Sequence, residues 1–484
     1  MKFIFFHIGK CGGATIRDLF TNINSLKHKV FNQENSFENY CSKLIQNKNL
    51  INDIEYIEVH AGSSVSFYNS INLIKNLKTL YENKIFIFTS FRDPLKTIIS
   101  LQHYLYKHKK INNNDYEYFK NNYNYNYISN YLYNGCTAFG RFNILPNNGF
   151  DKKNIKNIND FYLDDKKFKN LINYLDYYMD YILYLDDIEN FIKFINKNYN
   201  VKLKYEHKII NKNNYDQFTI SEDEKKDIIN NLEMDYKIYN RYRNKKNFKM
   251  YLGSCRINGG SSIGWRSKYF NINESSELGE KIAYPYSTKE IIQLLKFINN
   301  EINIPENILH KCFRSFTINT QSIDKYIKDK NYLLNIFNNI DIFILEICSR
   351  KIFIAQEKYY YCDNYIRRLE QNKNLEELNN IEHKIMNEED ILQDIKFIQK
   401  YLKKPILIVS HINCKLNNSI IETRNNLINS LENICDKNNI AFYNPTLILD
   451  YFDQENVMNK DLVHYNYYYF DIITRVINYN ILNI

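Results

Sequence analysis

Residues 7 to 16 read HIGKCGGATI and hold three of the chain's 12 glycines within five positions, around a single lysine. A strand that ends in glycines and opens a helix aims several unpaired backbone N–H groups at one spot, and the helix dipole adds partial positive charge there. Lys10 supplies a full charge and Thr15 a hydroxyl donor, so the stretch has the chemistry of a phosphate site. The lysine precedes the glycine pair, so the Walker pattern is absent, as is GxGxxG; a plain ATPase or a dinucleotide enzyme is disfavoured. A second anion site follows in SFRDPLKTIISLQHYL, residues 90 to 105, where Arg92 and Ser100 stand eight residues apart. With the arginine at a strand end and the serine on the next helix, both can reach one anionic group, and arginine is the side chain best shaped for bidentate phosphate contact. Two such sites on neighbouring strand ends suit a nucleotide phosphorylated at both ends.

The far half carries different chemistry. YLGSCRI, residues 251 to 257, puts small and nucleophilic residues at the end of a strand, and KDLVHYN near the C-terminus places Asp461 and His464 three apart. On one helical turn, or a loop leading into one, that spacing lets a carboxylate support a histidine base. Glu346 in LEICSRK is an unusual residue inside an apolar strand, and His411 in SHIN ends another strand where it can border a pocket.

These residues need sheets to position them. In the first half KFIFFHI, IEYIEVH and KIFIFTSF read as strands, NSINLIKNLKTLYEN as a helix between two of them, and DYILYL as a later strand within a mainly helical, polar region from about 105 to 245. That alternation predicts a parallel α/β sheet. After the basic stretch NRYRNKKNFKM the pattern restarts with MYLGSCRI, and IDIFILEIC, KPILIVSHI and NIAFYNPTLIL read as buried strands. The 484 residues exceed one ordinary core, so two α/β domains are expected, 1–245 and 246–484. Heavy use of Asn, Lys, Ile and Tyr reflects compositional bias more than site-by-site function. The net charge of +9 suits an anionic ligand but is spread along the chain rather than gathered into a stripe, which speaks against nucleic acid as a partner. No apolar run reaches the ~18 to 20 residues of a membrane span, and FIFF is short for a signal-peptide core. Nine cysteines without a CxxC pair fit free thiols in a reducing compartment. A soluble, cytoplasmic protein with no bound metal and no membrane insertion is expected.

HIGKCGGATI with SFRDPLKTIIS resembles the two cofactor motifs of sulfotransferases that use 3′-phosphoadenosine 5′-phosphosulfate (PAPS), especially the carbohydrate branch, whose motifs run roughly HIPKTGGTT and RDPxxRxxS. The resemblance covers about residues 1 to 245 and implies a P-loop-like α/β fold with helical additions. It further implies that Lys10 contacts the 5′-phosphosulfate, that Gly12, Gly13, Ala14 and Thr15 line the 5′ end, and that Arg92 and Ser100 hold the 3′-phosphate. His60 is similar in position to the catalytic histidine of the uronyl branch, which makes it the candidate base for the acceptor hydroxyl of a carbohydrate. Gly9, Cys11, Ala14 and Lys96 depart from the family's proline, threonines and arginine.

From about 248 to 484 the strand, the G-x-nucleophile turn and the distant D-x-x-H resemble the SGNH or GDSL hydrolases and acyltransferases, a three-layer α/β fold. Laying the family's GDS block over GSC gives Cys255 the nucleophile position, with Ser254 before it as the alternative, and Asp461 and His464 as its support. The family's GxND motif has no clear counterpart. The two resemblances together imply a sulfotransferase-like domain fused to an esterase or acyltransferase domain, with one glycan as the expected common substrate. Two other readings remain: a binding protein built from decayed enzyme folds, and a small-molecule kinase, for which Asp18 and Asp93 are the nearby acidic residues.

Overall fold

The computed structural model describes residues 1–23, 26–31, 34–59, 66–81, 84–107, 126–134, 163–199, 201–204, 221–243, 249–258, 285–313, 334, 337–338 and 340–481. The chain divides into two compact units, Met1–Asn244 and Lys245–Ile484. Each is an α/β structure built on a parallel sheet.

In the first unit the strands are β1 (Lys2–Phe6), β2 (Lys27–Phe31), β3 (Glu55–Val59), β4 (Ile85–Phe91) and β5 (Tyr181–Tyr184). They lie in the order β2-β3-β1-β4-β5, all parallel. β1, β3 and β4 are buried along their whole length, as strands covered on both faces must be, which is why apolar residues dominate β1 and β4 and why the glutamates of β3 need partners. The helices are α1 (Gly13–Thr21), α2 (Glu34–Gln46), α3 (Ile71–Tyr81), α4 (Pro94–Lys107), α5 (Tyr127–Asn134), α6 (Asp165–Tyr178), α7 (Ile188–Tyr199), α8 (Glu222–Asn230) and α9 (Glu233–Tyr242). Rings dominate one core cluster: Phe20 stacks on Tyr56 with centroids 4.6 Å apart, and Phe5 on Phe88 at 5.0 Å.

The register is what matters for function. Phe6 pairs with Val59 on one side and Thr89 on the other, so β1, β3 and β4 end close to level. The chain runs from β1 to β2 and β3 on one side and then crosses to β4 and β5 on the other. The carboxyl end of β1 therefore lies where connections diverge, the place at which open α/β sheets bind ligands.

In the second unit β6 (Lys249–Leu252), β7 (Ile342–Ile347), β11 (Ile406–Ser410) and β14 (Ala441–Tyr443) form a parallel sheet in the order β14-β11-β7-β6. Beside it β8 (Lys351–Ala355), β9 (Tyr359–Tyr361) and β10 (Ile381–Ile385) make an antiparallel sheet, and β12 (Lys415–Leu416) and β13 (Ser419–Ile420) a small hairpin. The helices are α10 (Thr288–Ile298), α11 (Glu306–Cys312), α12 (Asp363–Gln371), α13 (Glu388–Leu402), α14 (Glu422–Lys437) and α15 (Tyr467–Ile481), with short helical turns between. Their apolar stripes, Ile291, Leu294, Leu295 and Ile298 on α10 and Ile391, Ile395 and Ile398 on α13, join the strands in one core. Among the described residues no helix is long and apolar enough to cross a membrane.

Candidate functional sites

At the end of β1 the chain passes through His7 to Gly12 before α1 begins. Lys10 and Gly12 both adopt positive φ, 65° and 83°, and Gly12 is the N-cap of α1 without a side-chain capping hydrogen bond. The first-turn N–H groups of Gly13, Ala14 and Thr15 have no intrahelical acceptor at such a terminus. Ala14 is exposed and Thr15 half-buried. The glycines are sterically required: a Cβ on Gly13 would fall 1.8 Å from His7 Nε2, and one on Gly12 2.2 Å from Leu185 Cδ2.

His7 is itself held from below. Its Nδ1 lies 2.8 Å from Glu58 Oε1, and Arg17 of α1 grips the same carboxylate through Nε at 2.7 Å and Nη2 at 2.6 Å. Glu58 is completely buried. Burial alone would push its carboxyl up, but Arg17 and His7 outweigh that and hold it at about 2. This network ties β1, β3 and α1 together beneath the turn.

The second motif comes to the same edge. Arg92 follows β4, and Asp93 caps α4 by accepting the Lys96 N–H at 3.0 Å, so the carboxylate weighed as a kinase's metal ligand is engaged as a helix cap. Ser90 Oγ donates to Cys11 O at 2.6 Å, stitching the β4 end to the glycine turn. Lys10 Nζ sits 3.4 Å from the centroid of the Tyr104 ring. Tyr104 is one helical turn beyond Ser100 on α4, so Lys10 reaches the face of α4 that carries Ser100. Lys10, Arg92 and Ser100 are all half-buried. Cys11 is buried and its thiol is pushed up to about 12 by burial, so it behaves as packing rather than as a reactive thiol. His60 lies outside the described residues.

In the second unit Gly253, Ser254 and Cys255 follow the end of β6. A Cβ on Gly253 would fall 2.5 Å from Glu346 Cβ, so the turn closes directly over the end of β7. Glu346, 2% exposed, accepts Ser254 N at 2.8 Å, Ser254 Oγ at 2.6 Å and Arg256 Nε at 3.1 Å. The carboxylate that looked out of place in an apolar strand is thus the lock of the turn. Arg256 also donates to Cys348 Sγ at 3.2 Å. Cys255 opens a four-residue helical turn, Cys255–Asn258, and its side chain falls outside the described part.

Asp461 and His464 do meet: His464 Nδ1 is 2.7 Å from Asp461 Oδ2, while the backbone N–H groups of Val463 and His464 donate to Oδ1 at 2.9 and 3.0 Å. Partial burial pushes Asp461 up, yet the His464 ring and those two N–H groups prevail and hold it at about 2. The pair sits on a loop rather than a helix, because Leu462 between them adopts φ 53° and the loop is closed by Asn459 N donating to His464 O at 2.8 Å.

Two residues that the sequence did not assign to the site, Arg256 and Arg424, complete these strand ends beside His411, which it did. Arg256 was visible beside the nucleophile turn without a role. Arg424, in the first turn of α14, gave no signal; it donates to Leu462 O at 3.1 Å and so docks the Asp461–His464 loop. His411, at the end of β11, is buried with Nδ1 2.6 Å from Ile412 O. Burial, then Arg256 and Arg424, hold it well below the ordinary histidine range. Tyr465, next to His464, is pushed well above the ordinary tyrosine range by burial and the charge of Glu346, which places the loop within electrostatic reach of the β7 end.

A family model described as the TviD N-terminal domain matches residues 250–377 and 366–479. The Vi polysaccharide biosynthesis protein TviD of Salmonella typhi is 22% identical over 263 residues, covering 48% of this chain and 31% of that protein. The chain thus spans about a third of the relative's length. No solved structure matches.

Proposed function

We propose that the protein is a glycan-modifying enzyme whose C-terminal unit adds or removes an acyl group at a carbohydrate hydroxyl. The observation that carries this reading is the Asp461–His464 pair docked through Arg424 at the strand ends that also carry the Gly-Ser-Cys turn. The similarity of residues 250–479 to the family of a polysaccharide biosynthesis protein supports a glycan substrate. In this mechanism His464, oriented by Asp461, takes the proton of the nucleophile, and Asp461 stabilises the resulting imidazolium. Cys255 is favoured as nucleophile, because Ser254 has both its hydroxyl and its N–H committed to Glu346.

For the N-terminal unit we propose PAPS-dependent sulfuryl transfer to a carbohydrate hydroxyl, carried by the Lys10–Tyr104 contact that brings the lysine of the first motif to the Ser100 face of α4. What supports this reading is a cradle of glycines where no Cβ can stand, helix N–H groups without intrahelical acceptors, and Lys10 and Arg92 on adjacent strand ends. The bound nucleotide would supply the activated sulfuryl group. Lys10, Gly12, Gly13, Ala14 and Thr15 would hold its 5′ end and stabilise charge on the leaving phosphate, Arg92 and Ser100 would hold the 3′-phosphate, and His60 would take the acceptor's proton.

Two experiments test these readings. Hydrolysis of p-nitrophenyl acetate by the full chain should fall about a hundredfold or more in Cys255→Ala and in His464→Ala; unchanged rates in both sink the acyl reading. In thermal-shift titration, adenosine 3′,5′-bisphosphate should stabilise the protein where AMP and ATP do not, by about 2.7 kcal/mol at a hundredfold excess over Kd. The effect should vanish in Lys10→Ala and Arg92→Ala. Retained binding without turnover on any glycan would instead identify a nucleotide-binding protein built on an enzyme fold.

A further inference from the structure

The electrostatics around Arg424 are unfavourable in two separate ways, and no counter-ion among the described residues offsets them. It lies in the first turn of α14, where the helix dipole opposes a positive charge. It is half-buried near a second arginine, and burial together with Arg256 lowers its pKa. Its hydrogen bonds go to neutral backbone carbonyls, Leu462 O at 3.1 Å and Ile412 O at 3.5 Å. Among the described residues no carboxylate forms an ion pair with it. Glu346 is committed to Arg256 and Ser254, Asp363 to Arg367 at 2.6 Å, and Asp461 to His464. Glu422, two residues earlier on the same helix, is exposed and points elsewhere at that spacing.

A partly desolvated charge with no counter-ion is less favourable than a paired one, and Arg424 has carbonyl acceptors but no carboxylate among the described residues. His411 is consistent with this: burial, then Arg256 and Arg424, hold it well below the ordinary histidine range, so it adds no positive charge at neutral pH. Anchoring the loop does not by itself call for a charge, since a neutral donor would also hold Leu462 O without partly burying a cation.

We propose that Arg424 is the centre of an oxyanion subsite at the strand ends of the second unit, receiving a carboxylate or phosphate group of the substrate. Its remaining N–H donors can grip two oxygens of such a group in parallel, the geometry in which arginine surpasses lysine. The subsite deepens the acyl-transfer reading, on whose site it borders. It also links binding to catalysis, because the guanidinium that would hold the anion also holds the loop of Asp461 and His464. Two sources share this chemistry: an acidic sugar of the acceptor, or a phosphate of an acyl donor.

The test is isothermal titration calorimetry on the full chain carrying Lys10→Ala and Arg92→Ala, which silences the anion site of the first unit. The probes are tri-galacturonate, its carboxyl-reduced neutral counterpart, and inorganic pyrophosphate. One charged probe should bind about tenfold or more tighter than the neutral sugar. Arg424→Gln should abolish that preference, and Arg424→Lys should retain part of it. Loss for tri-galacturonate assigns the subsite to the acceptor, and loss for pyrophosphate assigns it to the donor. Absence of binding by both charged probes, or binding indifferent to Arg424→Gln, overturns the proposal. Stability provides a second arm: Arg424→Gln should leave Tm unchanged or raise it, whereas a fall of more than about 5 °C would mark a purely structural arginine and overturn the proposal. Because these readouts need no turnover, an anion preference lost in Arg424→Gln, alongside ester hydrolysis unaffected by Cys255→Ala, would keep the subsite and discard the acyl chemistry.

Discussion

The two units both place chemistry at the carboxyl ends of parallel strands, but they prepare those ends with different materials. In the first, readiness for an anion comes from backbone: a left-handed Gly12, the unfilled N–H groups of α1, and a buried His7–Glu58–Arg17 network that supports the turn from beneath. In the second it comes from side chains: Glu346 locks the nucleophile turn, and Arg256 and Arg424 surround it with charge. The difference teaches where each site is vulnerable. A backbone cradle fails by steric intrusion, and a side-chain network fails by loss of one charged partner.

The largest effect should therefore come from Glu346→Ala in the second unit. It leaves the buried Arg256 without its counter-ion and Ser254 without its acceptor, a loss of about 3 to 5 kcal/mol by the usual cost of breaking a buried pair. Urea unfolding followed by hydrogen exchange at residues 250–258 would measure it, and a change near zero would break the contrast between the units. Gly13→Ala should cost the first unit about 1 to 3 kcal/mol, because the new methyl collides with the His7 ring, which Glu58 prevents from retreating. His7→Ala should relieve the collision, so the double variant should be less destabilised than the sum of the singles.

Acid provides a gentler probe. The folded-state pKa of Glu58 lies below its ordinary value of 4.5, so its ionised form stabilises the fold. That contribution is complete above about pH 4.5 and is lost as the pH falls towards about 2. Glu58→Gln should flatten this part of a stability–pH profile. Asp461 shifts in the same direction, from 3.8 to about 2, but it is half-exposed and should contribute less. The smallest effect is expected at Tyr104. A cation–π contact at an exposed ring contributes about 0.5 to 1 kcal/mol, so Tyr104→Leu should weaken adenosine 3′,5′-bisphosphate binding two- to fivefold while Tyr104→Phe leaves it unchanged. Equal affinities in all three proteins would show that Lys10 needs no orientation by the ring.

Much of this architecture was legible in the residues because buried parallel strands are locally distinctive. KFIFF, IFIFTSF, IFILEI and ILIVS are dominated by apolar residues, and each is a strand buried along its whole length. β2, KHKVF, went unread because it lies at a sheet edge, where its lysines face solvent or pair with Asp53 and Glu55. β10 is hidden in the sequence because IEHKI is interleaved with polar residues and almost wholly exposed, and β8 and β9 because KIFIA and YYY are short. NPTLIL, read as continuing a strand, turns into a 3-10 helix once Asn444 caps it and Pro445 withdraws its N–H.

The sequence by itself determined which short stretches could bind anions or house a nucleophile, since spacing, glycine content and local charge are properties of a few neighbouring residues. It also marked Glu346 as anomalous without saying why. Only the tertiary structure decided what that carboxylate does, that Asp461 and His464 pair across a loop, that Lys10 meets the helix carrying Ser100, and that Arg424 holds Leu462 of that loop from 38 positions away. Burial and charge proximity are set by which strand ends lie side by side, and that order is a property of the whole sheet, not of any segment within it.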